Sequence, residues 1–292
     1  MTEVHGDSGI IVGVDGSRGS KVAVQWAARD AELRNVPMTL VHVLPPVDGE
    51  QPEFVRRLLD DAARIARKSC RYGPVRIDCE MPRGRVVSTM ARMSKSAELV
   101  VVGCLGTGTL RGRHLGSVSA GLIHDAHCPV VVLHDDVQLD AQAAQKRVVV
   151  GIDGSPESEA AIGIAFDEAS RRRVGLTAIH TWKPVSVFDD IVSFPGPGWP
   201  ALRAKEDEIL SERLAGWSER YPDVDVDRIV ARDDPVPQLV NASLSAQLVV
   251  VGGCGSGGLA GMLFGSVSAG VVLLAHVPVM VARCTRTRAR PR

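Results

Sequence analysis

The chain has 292 residues, with 34 Lys and Arg against 34 Asp and Glu, and therefore no formal net charge. Neutrality argues against a nucleic-acid coat or an electrostatic membrane binder, since both need a basic excess. A composition that is 45% hydrophobic and 23% charged excludes a disordered or collagen-like chain. The aromatic count is low, with five Phe, four Trp and two Tyr, which disfavours a base-stacking platform. At about 150 residues per domain, two domains are expected.

Along the first half, short β-branched runs alternate with helical patterns. Ile10–Val14 reads as a buried strand, and Ser17 opens a helix that runs to Asn35. Met38–Leu44 is the next strand. Val55, Leu58, Leu59, Ala62, Ile65 and Ala66 then fall on one helical face. Val75–Met81 alternates with period two and reads as a strand, Val86–Ser96 as a helix, and Glu98–Gly103 as a fully buried strand. A glycine-rich loop leads to a helix near Ser117–Asp125, and Pro129–Leu133 is the last strand.

The chain then repeats itself. Ile11–Ser17 (IVGVDGS) recurs at Val149–Ser155 (VVGIDGS), Val100–Gly103 recurs at Val249–Gly252, and GSVSAG stands at both 116–121 and 265–270. The later matches are shifted further than the first, so the second copy carries an insertion, best placed at the Pro/Gly-rich SFPGPGWP of 193–200. Two homologous domains, 1–140 and 146–284, follow. A polar segment near 135–146 joins them, and 285–292 forms a basic tail that reads as a solvated terminus.

Residues 235–282 contain no Asp, Glu, Lys or Arg, and Leu259–Ala282 could pass for a membrane span, although the stretch is rich in Gly and Ser and Pro278 interrupts its most apolar part. Their counterpart in the first copy carries Arg92, Lys95, Glu98, Arg111, Arg113 and Asp125, so no membrane span is expected. The six cysteines form no C-x-x-C pair and match no zinc spacing. They read as reduced, buried thiols. The first residues show no basic region followed by an apolar stretch, so a cytoplasmic protein is expected.

Alternating strands and helices predict an α/β fold: two tandem Rossmann-like domains, each a mostly parallel five-stranded sheet with helices on both faces. Such sheets bind ligands outside the carboxyl ends of their strands, where the strand order reverses. Asp15-Gly16-Ser17 follows the first strand there, and Gly103-Cys-Leu-Gly106-Thr-Gly108 follows the fourth. The spacing Gly103-x2-Gly106-x9-Gly116-Ser117 is reproduced as Gly252-x2-Gly255-x9-Gly265-Ser266. Glycines let backbone N–H groups close on a phosphate, and the helix that follows offers its free N–H groups. Ser117 and Ser119, like Ser266 and Ser268, add candidate hydroxyl donors.

A plainer account is a tight strand-to-helix connection with ordinary capping serines; identical spacing in both copies weighs against it. Asp15 and Asp153 also suit an Asx-turn, which is compatible with ligand contact. No G-x-x-x-x-G-K-[ST] or G-x-G-x-x-G is present, so a P-loop motor and a dinucleotide dehydrogenase are disfavoured. His42 and His180 recur at the end of the second strand, and His127 and His276 before the last. No nucleophile or carboxylate recurs beside them in a hydrolase motif, so they read as structural.

The segments VGVDGS, LVHV, VVVG-x2-G-x9-GSVS and HCPVVV resemble the universal stress protein family. The resemblance covers nearly the whole chain as two tandem domains, an arrangement similar to tandem members of mycobacteria and other actinobacteria. It implies the ATP-binding branch of the family, with or without Mg²⁺; from the missing hydrolase and zinc patterns, no catalytic residue and no protein metal ligand are expected. By position, Asp15 and Val43 would face adenine and ribose, and Gly103, Gly106, Gly116, Ser117, Val118 and Ser119 the phosphates. The matching positions in the second copy are Asp153, Thr181, Gly252, Gly255, Gly265, Ser266, Val267 and Ser268.

The loop departs from the family's common G-S-R-G, because neither copy has the arginine. The first copy keeps Arg111, Arg113 and His114 further along, where the second has Ala260, Met262 and Leu263, so tighter nucleotide binding is expected in the first. The resemblance implies a nucleotide-dependent regulator of stress or dormancy. A slow ATPase using Asp15 or Asp153 as base, and a nucleotide-free scaffold, are the alternatives. It also implies that the last strands, Pro129–Leu133 and Pro278–Ala282, pair the copies into an internal pseudo-dimer. A homo-oligomer through these terminal edges and an unidentified protein partner complete the expectation.

Overall fold

A computed structural model of the chain describes residues 9–46, 52–106, 114–182, 199–232, 234–253 and 265–283. The first half runs β1 (Ile10–Gly13), α1 (Arg18–Arg34), β2 (Met38–Val41), α2 (Pro52–Ser69), β3 (Ile77–Glu80), α3 (Val86–Met93), β4 (Leu99–Gly103), α4 (Ser117–Asp125) and β5 (Val130–Leu133). The second repeats it as β6 (Arg147–Ile152), α5 (Pro156–Arg172), β7 (Leu176–Trp182), α6 (Trp199–Arg220), β8 (Val226–Arg232), α7 (Pro235–Ser243), β9 (Ala246–Gly252), α8 (Ser266–Leu274) and β10 (Val279–Ala282). The expected elements form, with ends shifted by a few residues. Of the proposed insertion, 193–198 lie outside the described residues, and Trp199 and Pro200 begin α6.

The repeat extends to the caps. Ser17 and Ser155 cap α1 and α5, each accepting from the backbone N–H three residues on at 3.1 Å. Both helices end on a left-handed residue, Asn35 at φ 56° and Arg173 at φ 55°.

All ten strands form one sheet in the order β3-β2-β1-β4-β5-β10-β9-β6-β7-β8. Every neighbouring pair is parallel except β5 and β10, which run antiparallel with Val130 opposite Val281 and Val132 opposite Val279. The expected internal pseudo-dimer is therefore present. A homo-oligomer through those same edges is not compatible with it, because β5 and β10 each have a strand on both sides and no edge left to offer.

Side chains alternate between two cores, one on each face of the sheet. Leu99 and Val101 of β4 join the apolar layer under α1, α2, α5 and α6, whereas Val100 and Val102 join the layer under α3, α4, α7 and α8. That double burial is why the strands read as unbroken apolar runs. Cys104 and Cys128 are buried and Cys70 is half-buried, but Cys79 is exposed on the edge strand β3, against expectation. Cys254 and Cys284 lie outside the described residues. Among the described residues, no helix is long and apolar enough to cross a membrane.

A second seam joins the halves where α1 packs on α5. Asp30 and Glu168 are buried there between Arg34 and Arg172. Arg34 bonds Asp30 at 2.7 Å and also Glu168, while Arg172 bonds Glu168 at 2.8 Å and also Asp30. The Arg172 guanidinium also lies 5.3 Å from the centre of the Trp26 ring. Burial alone would weaken the Arg34 charge, but Asp30 and Glu168 reverse this and hold its pKa above the ordinary value. Removing one cation would leave two buried carboxylates sharing the other. Arg172→Met, which keeps an apolar stem on Trp26, is expected to lower unfolding stability by about 3–5 kcal/mol, read from urea denaturation.

Candidate functional site

In each half the chain leaves the first strand toward one edge of the sheet and returns to the fourth on its other side. The carboxyl ends of β1 and β4 thus lie side by side where the connections diverge, as do those of β6 and β9. Because β5 and β10 are antiparallel, the two crevices open at opposite ends of the sheet.

In the first crevice, Asp15 is half-buried and its Oδ1 accepts from the Ser17 N–H at 2.9 Å, so the Asx-turn is present. Its Oδ2 faces the glycine loop, 3.0 Å from where a Cβ on Gly106 would stand. The Gly116 N–H donates to the Cys104 carbonyl at 2.8 Å, closing the loop onto the start of α4. Gly116 is the N-cap of α4 and no side chain caps the first turn. Ser117 is exposed at that opening, beside half-buried Val118. Val43, buried just after β2, and Val118 belong to the same apolar layer as Leu105 and Leu115.

Two expected donors have other employment. The buried Ser119 hydroxyl lies 2.9 Å from the Gly103 carbonyl and 3.1 Å from that of Cys104, and Ser268 donates to the Gly252 carbonyl at 2.6 Å. Each has a single proton, already engaged by the loop, so these serines fasten the helix to the loop rather than offering a free hydroxyl. Gly103 is likewise needed for packing. A Cβ there would stand 2.8 Å from the Gly19 carbonyl carbon, and one on Gly252 would meet the Glu157 carbonyl carbon at 3.0 Å.

The second crevice keeps this frame with different walls. Asp153 is exposed, and its Oδ1 accepts from the Ser155 N–H at 2.9 Å and the Ser155 hydroxyl at 2.6 Å. Gly265 caps α8 without side-chain help and donates to the Gly253 carbonyl at 3.2 Å. Ser266 is exposed, and Thr181 and Val267 are half-buried. Gly255 lies outside the described residues, as do Arg111, Arg113, Ala260, Met262 and Leu263.

Two neighbours escaped the sequence reading. Gly19 admits the end of β4, and a glycine so early in a helix was a usable signal. Arg213 of α6 approaches Gly154, its terminal nitrogen 2.7 Å from a would-be Cβ, where Leu58 stands in the first half at 3.1 Å from that of Gly16. Nothing in local spacing announces Arg213. His42 and His180 lie 2.6 and 2.9 Å through Nδ1 from the carbonyls of Val14 and Ile152, and His180 Nε2 lies 3.2 Å from Glu206 Oε2. The backbone N–H groups of His127 and His276 donate to Ser94 and Ser243.

The family model described as the universal stress protein family matches residues 9–134 and again 145–283. Universal stress protein Rv2623 of Mycobacterium tuberculosis strain H37Rv is 50% identical across 97% of this chain and 99% of its own length. Rv1996 of the same strain is 41% identical with both chains fully covered. The crystal structure of a universal stress protein from Archaeoglobus fulgidus shares the fold, with a TM-score of 0.69 at 20% identity over 95% of this chain and 98% of that one. The chain belongs to the universal stress protein family, with two family domains in tandem.

The loop geometry makes two checks available. Gly103→Ala is expected to lower stability by about 1–3 kcal/mol by driving β4 from α1, whereas Gly73→Ala, with nothing within 4 Å, is neutral in the same denaturation assay. Burial pushes the Cys104 thiol up to about 11 and that of Cys128 up to about 12. Alkylation at pH 8, mapped by peptide mass spectrometry, is therefore expected to label exposed Cys79 faster than either, by about tenfold or more.

Proposed function

We propose that each crevice holds ATP, with or without Mg²⁺, and that the chain is a nucleotide-dependent regulator of the stress response rather than a catalyst. The observation that carries this reading is the pairing, in one crevice, of two opposite chemistries. A carboxylate oxygen faces one side of the loop, and an uncapped helix start closes the other. An ionised carboxylate only accepts hydrogen bonds, so it suits the hydroxyls of a ribose or the amine of a base. A helix N-terminus favours anions, which suits the phosphates. Asp15 and Val43, and by repetition Asp153 and Thr181, then stand on the nucleoside side. Gly103, Gly106, Gly116, Ser117 and Val118 form the phosphate side with Gly252, Gly255, Gly265, Ser266 and Val267, while Ser119 and Ser268 hold the loops in shape. One oxygen of each aspartate is committed to its turn, which favours an orienting group over a base that activates water.

The first site is the tighter one in this reading, since its loop alone carries Arg111, Arg113 and His114. Mass spectrometry of ligand released from freshly purified protein is expected to find ATP, approaching two per chain when nucleotide is supplied. Gly106→Ala is expected to lose more bound ATP than Gly255→Ala, with the two sites differing about tenfold in Kd, or about 1.4 kcal/mol. Absence of any adenine nucleotide at saturating ATP overturns the reading; equal losses overturn the ranking.

A further inference from the structure

Each half grips the far end of the other half's loop helix. Arg283 follows β10, and its Nε donates to the Ala126 carbonyl at 3.0 Å. One terminal nitrogen donates to the Ile123 carbonyl at 2.7 Å, and the other to that of His124. Those carbonyls close α4, the helix that opens at the first loop. In the reverse direction His134 follows β5 and meets the Val272 carbonyl, in the last turn of α8, at 2.8 Å through Nε2. The two residues occupy equivalent places in the repeat.

Both also adjoin the loop of their own half. Leu133 pairs with Gly103, and its carbonyl accepts from the Cys104 N–H at 2.7 Å. Ala282 pairs with Gly252, and its carbonyl oxygen lies 3.0 Å from where a Cβ on Gly253 would stand. The first loop is thus joined through Leu133-His134 to α8, and the second through Ala282-Arg283 to α4. The crevices open at opposite ends of the sheet, and α4 and α8, each gripped at its far end by the other half, span the distance.

We propose that Arg283 and His134 are positioning residues that couple the two loops, so that phosphates bound at one raise the affinity of the other. The inference rests on the reading that the loops hold nucleotide. A ligand held at one loop restrains the strand end paired beside it, and so the cap on the opposite helix. The second ligand then meets a helix already held in place. Such coupling is reciprocal. The two bridges differ in strength, because a guanidinium presents a permanent charge and a fork of donors to three carbonyls, and imidazole presents one nitrogen to one.

The test uses the full chain and isothermal titration with ATP and with adenosine, which lacks the phosphates that meet the helix start. Ser266→Asp blocks the second site and Ser117→Asp the first, each placing an acid where a helix tolerates it well. The first site is expected to bind ATP about fivefold to tenfold more tightly when the second is open than when Ser266→Asp blocks it. Arg283→Met brings that factor to one and leaves adenosine binding unchanged, and Arg283→Lys restores part of it. His134→Leu gives the same loss from the other side, so the test survives if Arg283→Met does not fold.

An undiminished factor in both variants, or equal weakening of ATP and adenosine, overturns the proposal and leaves the bridges as plain fasteners. Two ATP sites without coupling in the unaltered protein overturn the coupling alone. Failure of that protein to bind ATP at all overturns the nucleotide reading, and the coupling with it.

Discussion

The antiparallel pairing of β5 with β10 is the constraint from which the rest of the architecture follows. Each half taken alone ends in a strand of buried apolar residues with an unpaired row of backbone groups, which is a template for aggregation. Joining the two rows satisfies the N–H and C=O groups and closes an apolar seam in one step. The antiparallel sense then turns the halves about a pseudo-twofold axis. It sends the crevices to opposite ends of the sheet, brings α1 against α5, and sets the residues after the last strands on the helix ends of the other half.

The α1–α5 seam shows what that symmetry does with charge. Two equivalent carboxylates and two equivalent arginines meet across it, each arginine touching the acid of its own helix and that of its neighbour. A buried ion cluster contributes little net stability compared with an apolar contact, yet a mispaired arrangement would strand a charge away from water. The cluster therefore penalises wrong registers of the two halves more than it rewards the right one. The joining strands, short and apolar throughout, discriminate register poorly by themselves. Charge and strand pairing divide the work of joining the halves.

Glycines at the crevices let strand, helix and loop approach one another closely. Gly103 and Gly252 bring the fourth strand of each half against the start of its first helix, while Gly106 leaves room for the carboxylate of Asp15. A spacing that reads as a phosphate loop is therefore partly a packing motif. The serines show the same division: Ser117 and Ser266 stand open at the helix starts, and Ser119 and Ser268 are consumed holding the loops.

The sequence by itself determined the repeat, the order and type of the elements, the caps at Ser17 and Ser155, the pairing of the terminal strands and the positions of the two crevices. All of these rest on local pattern, internal similarity or family resemblance, which a linear string carries. Only the tertiary structure decided that β5 and β10 leave no edge for another copy, that Cys79 is exposed, and that Ser119 and Ser268 bond inward. It alone revealed the Asp30–Arg34–Glu168–Arg172 cluster, Arg213 beside Gly154, and the crossed contacts of Arg283 and His134. The physical reason is common to them all. Which hydrogen-bonding group meets which is settled by the packing of segments far apart in the chain, and no periodicity along the chain encodes that pairing.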